Sequence, residues 1–121
     1  MTDQAQRFNF VAYGSLLALL GEFASATQIL VTGVEVNDSV SITASMLVYD
    51  VLIKAARLVP EYGETADFRK QLIEMLELHR RYAQAIDLGG DRAQCLRDIQ
   101  EGQLILDLAF KRVGERLGIR Q

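Results

Sequence analysis

Between Phe8 and Val34 the chain carries one charged residue, Glu22, whereas from Glu64 to Gln121 it carries twenty. A helix with almost no polar face cannot sit on the outside of a small soluble domain. The rest of the chain, a second copy, a partner or lipid has to cover it.

The 121 residues fit a single domain, residues 1–121, and half of them are apolar, enough for a real core. The formal net charge of −3 carries no basic footprint, which argues against nucleic acid as a partner. One cysteine, Cys95, permits no intrachain disulfide and fits a reducing, cytoplasmic setting.

The N-terminus imitates a targeting signal. Arg7 precedes the apolar run FVAYGSLLALLG, and Ala24-Ser25-Ala26 has the form of a cleavage site. Asp3 weakens the basic lead and Glu22 interrupts the run, so the segment is read as part of a folded helix. The uninterrupted run also falls short of the ~20 residues a bilayer needs, and a membrane partner is not expected.

Four segments read as helices. The first runs from Asp3 or Arg7 to Val31, with Gly33 as its left-handed C-terminal residue. The second runs from Ser39 to Val59, with N-caps offered by Asn37, Asp38 and Ser39 and a stop at Pro60. Its apolar residues, among them Val40, Ala44, Leu47, Val48, Val51, Leu52 and Leu58, recur at helical spacing. Val34, Val36, Val40 and Ile42 also alternate around Asn37-Asp38-Ser39, as a short β-hairpin would. The helical period persists for five turns and favours helix-loop-helix over residues 31–43.

The third helix spans Ala66 to Leu88 behind Thr65, and the fourth spans Arg92 to Leu117 between Asp91 and Gly118. Phe68, Leu72, Met75, His79, Tyr82 and Ile86 form a seam of the coiled-coil type. So do Leu96, Ile99, Gln103, Leu106, Phe110, Val113 and Leu117. Gly89-Gly90 makes the two helices an antiparallel hairpin. Pairing about that turn sets Met75 against Leu106, Leu72 against Phe110, Phe68 against Val113 and His79 against Gln103. The expected fold is all-α, a four-helix up-down-up-down bundle.

Three groups of residues stand out. Gly14, Ala18, Gly21 and Ser25 form a stripe of small residues spaced 4-3-4. Each glycine costs about 1 kcal/mol against alanine in a helix, and a close helix crossing would offset that. The crossing lies within the bundle or between subunits, with Phe23 beside it. Secondly, His79 and Gln103 share one layer near Tyr82, either as a bonded pair that fixes register or as polar groups orienting a ligand in an apolar pocket. Thirdly, Arg69 and Lys70 fall near Lys111, Arg112 and Arg116, as solvated cations or as a dock for an anion or acidic partner.

No metal-ligand spacing, phosphate loop or nucleophile–base motif is present. Cys95 lies near a helix start, where a thiol pKa falls, but no base is near it in sequence. No cofactor is expected. The pattern points away from an enzyme and toward a small protein-interaction module, whether adaptor, chaperone-like or inhibitor, that self-associates through its first helix. The alternative is a bundle that binds a small molecule near His79 and Gln103.

Overall fold

A computed structural model of the chain describes residues 3–119. Four helices account for the fold: α1 (Asp3–Glu35), α2 (Ser39–Leu58), α3 (Ala66–Leu88) and α4 (Arg92–Leu117), with no strand among the described residues. They pack as a four-helix bundle.

α1 passes through Gly33 and ends two residues later, at Glu35. The left-handed residue is Asn37, at φ 54°, a conformation an asparagine tolerates. Gly33 is needed for space. A Cβ there would lie 3.0 Å from the Cβ of Ser41 and 3.3 Å from Ile42 Cγ1, so α2 starts against its bare backbone. Asp38 caps α2 by accepting from the Val40 and Ser41 amides at 3.0 and 3.4 Å, which rules out the hairpin. The Ser41 hydroxyl also donates to Asp38, and these bonds hold its carboxyl below its ordinary pKa.

Between α2 and α3 the chain is tied down by one side chain. Arg69 donates to the carbonyls of Val59 (2.7 Å) and Arg57 (3.0 Å) and to Glu61 Oε1 (2.8 Å). The two carbonyls lie at the C-terminal end of α2, where helical donors run out. Thr65 occupies the N-cap position of α3, but its hydroxyl donates backward to the Tyr62 carbonyl and caps nothing. Asp91 caps α4 through the Gln94 amide, and Gly118 closes it in the left-handed region at φ 71°.

Contacts run in opposite order along each consecutive pair of helices. Gly33 meets Ile42 while Thr27 meets Tyr49. Asp50 pairs with Arg80 while Arg57 pairs with Glu77. Phe68 packs 5.4 Å from Phe110 while Gly102 lies under Met75 and Leu78. The α3/α4 register is therefore offset by about one turn from the sequence-based pairing. Gly102, which has no side chain, takes the place under Met75 that pairing had assigned to Leu106.

The core is built from Leu16, Phe23 and Leu30 of α1, Tyr49 of α2, Phe68, Leu72, Met75 and Leu76 of α3, and Leu106 and Val113 of α4. On α2 the buried face is Ile42, Ser45, Tyr49, Leu52, Ile53 and Ala56. Val40, Leu47, Val51 and Leu58, which share the helical period, point to solvent at 62 to 83% exposure.

Candidate functional sites

The small-residue stripe of α1 lies on its outer face. Gly14, Ala18, Gly21 and Ser25 are all exposed. A Cβ added at Gly14 or Gly21 would meet nothing within 4 Å. No close crossing within the bundle uses these residues, and the tight α1/α2 contact is made at Gly33. Phe23, expected beside the stripe, is a core residue at 6% exposure. Its ring sits edge-on to His79 at 4.7 Å and to Tyr49 at 6.1 Å.

Around the stripe the surface stays apolar, with Val11, Leu17, Ile29 and Val31 all exposed. On α2 the outward row of Val40, Leu47, Val51 and Leu58 carries Lys54 as its neighbouring charge. Gln4–Glu35 of α1 and Ser39–Leu58 of α2 are each long and apolar enough to cross a membrane by length and composition. Within each, only 22% and 33% of an apolar 18-residue window is buried. Two apolar helices thus each present a row of exposed apolar residues on one half of the molecule. On the other half the charged side chains of α3 and α4 face outward, together with Leu104, Ile105 and Leu108 of α4.

A second feature is a groove of about 340 Å³ between α1 and α4. Leu20, Phe23, Ala24, Thr27, Gln28 and Val31 line it from α1, Gln103 and Leu106 from α4, and His79 from α3 at its floor. His79 and Gln103 do converge here, while Tyr82 stays outside the lining. They are not bonded to each other. His79 Nδ1 lies 2.9 Å from the Met75 carbonyl, and the exposed Gln103 amide donates to Asp107 at 2.8 Å. Because α4 is turned to present Gly102 to α3, Gln103 reaches the rim rather than the seam. Burial pushes the imidazole pKa below its ordinary 6.5, with the Met75 hydrogen bond opposing the shift. The ring is neutral at pH 7. Since a carbonyl only accepts, the Nδ1 atom carries the proton.

The five basic residues do not form one open patch. Arg69 is the clamp described above, its side chain 14% exposed. Arg116 lies 3.6 Å from Glu64. Lys70 borders a cleft that also holds Glu61, Asp67, Glu74 and Glu77, so its lining is more acidic than basic. Lys111 and Arg112 are exposed on α4. Cys95 is a half-buried free thiol in the first turn of α4.

No family model matches the chain, and comparison with curated proteins and with solved structures gives no match.

Proposed function

We propose that the protein is an interaction module that pairs with a second copy of itself through the outer faces of α1 and α2. One observation carries this reading. The surface of α1 directly away from the core is nearly uncharged, and its small residues leave the backbone open to close approach. Small monomers rarely expose contiguous apolar surface on this scale. A facing helix seated on Gly14, Ala18, Gly21 and Ser25 would come close enough for dispersion contacts along both backbones, which larger side chains would prevent. The outward row of α2 supplies larger side chains beside it. An adaptor, chaperone-like or inhibitory role would use the same face for another protein.

The test is solution mass by light scattering after size exclusion, for wild type and Gly21→Leu. A leucine at that position has free space in the single subunit, so the variant folds. Expected is a wild-type dimer that becomes a monomer in the variant. Wild type that is monomeric at all concentrations, or that partitions onto vesicles of neutral phospholipid instead, overturns the pairing.

A further inference from the structure

We propose that the α1/α4 groove over His79 is a binding site for a small, uncharged, largely apolar molecule that donates one hydrogen bond to His79 Nε2. No charged residue lines the groove; Leu20, Phe23, Val31 and Leu106 make its apolar walls. An ion entering it would lose hydration without a counter-charge. His79 is more than nine-tenths buried. Its Nδ1–H is spent on the Met75 carbonyl, which leaves Nε2 as the ring's acceptor. Among the described residues Nε2 has no hydrogen-bond partner, and it is not sealed from solvent. Phe23 packs edge-on against the ring and fixes its orientation. The other polar side chains of the lining are engaged, Thr27 with Tyr49, Gln28 with Thr32 and Gln103 with Asp107, so the buried neutral acceptor of His79 is the group that selects a hydroxyl or an N–H. At about 340 Å³ the groove lies at the small end of ligand pockets and suits a two-ring molecule. The groove uses the side of α1 turned to α4 and adjoins the stripe proposed for pairing, sharing Val31 with the apolar surface around it.

Three probes test this on the full chain by titration calorimetry: a naphthol, its methyl ether and naphthoate. Expected is binding of the naphthol, binding of the ether weaker by about five- to tenfold for the loss of one hydrogen bond, and no binding of the carboxylate. Ala24→Trp fills the groove from an exposed position of α1 and should abolish naphthol binding while the helical circular dichroism stays unchanged. His79→Leu should bring naphthol and ether to equal affinity. Equal affinity of the two in wild type overturns the proposal. So does naphthol binding that survives Ala24→Trp, or no naphthol binding up to its solubility. If His79→Leu fails to fold, the wild-type series and Ala24→Trp still decide.

Discussion

At the scale of single residues, the glycines separate by what lies opposite them. Gly33→Ala places a methyl 3.0 Å from the Ser41 Cβ, a fixed neighbour at the start of α2. We expect it to destabilise by about 1 kcal/mol, because overpacking outweighs the gain in helix propensity. Gly14→Ala meets open space and should stabilise the single subunit by about 1 kcal/mol. Urea midpoints measured at low protein concentration check both, and equal signs would contradict the packing. His79 gives a second prediction. Its folded pKa is depressed below 6.5 by burial, so the unfolded chain binds the proton more readily. The stability this neutral ring confers is complete above 6.5 and is lost as the pH falls from there toward the folded value. The wild-type stability should therefore drop between about pH 7.5 and about pH 5.5 by more than that of His79→Leu. Parallel pH slopes for the two proteins would mean that the imidazole is not kept neutral in the fold. Because His79 and Gln103 each bond within their own helix, the effects of His79→Leu and Gln103→Leu should add.

At the scale of elements, the α2–α3 connection depends on Arg69. Its planar fork reaches two backbone carbonyls and one carboxylate from a side chain that is mostly buried. An ammonium cannot reproduce that geometry. Arg69→Lys should cost about 1.5–3 kcal/mol in thermal or urea unfolding, the range for hydrogen bonds from a charged group. A loss under half that would show that water replaces the clamp. Nothing in the local sequence announces this role, since two of the partners are backbone carbonyls ten and twelve positions upstream and the third is a carboxylate eight positions upstream. By contrast, α3 and α4 were legible to the residue. Both have many charges on the outer face, an apolar seam that runs their length and strong terminators in Gly89 and Gly118. α2 was legible as a helix but not in its orientation. Ile42, Tyr49, Leu52 and Ile53 offer one apolar face, and Val40, Leu47, Val51 and Leu58 offer another. Periodicity finds both rows and cannot say which turns inward. The same ambiguity hid the end of α1, where Gly33 could serve as a terminator or as a crossing point and only the packing of Ser41 and Ile42 decides. The groove was half legible: His79 and Gln103 were placed together, but Phe23 and the rest of its α1 wall belong to long-range packing.

At the scale of the whole molecule, the bundle is divided. One half, α1 and α2, is apolar on both its inner and outer faces, and the other half, α3 and α4, has an apolar seam and a mainly charged exterior, on which α4 also exposes Leu104, Ile105 and Leu108. A monomer would be expected to carry mixed charge all round, and the proposed pairing would cover the α1/α2 half. This makes a comparison between equally exposed leucines informative. Leu47 of α2 is 62% exposed and Leu104 of α4 is 73% exposed, and neither belongs to the core. Replacing either by lysine should change the stability of one subunit by no more than about 0.5 kcal/mol. If the α2 row lies in the pairing surface, Leu47→Lys buries an unpaired ammonium between copies and converts the assembly to monomers, while Leu104→Lys leaves the solution mass unchanged. A mass that falls in both variants would place the contact around the whole bundle, and a mass that falls only with Leu104→Lys would move it to α4. A mass that falls only with Leu47→Lys, together with the monomer expected of Gly21→Leu, would assign α1 and α2 to one continuous interface.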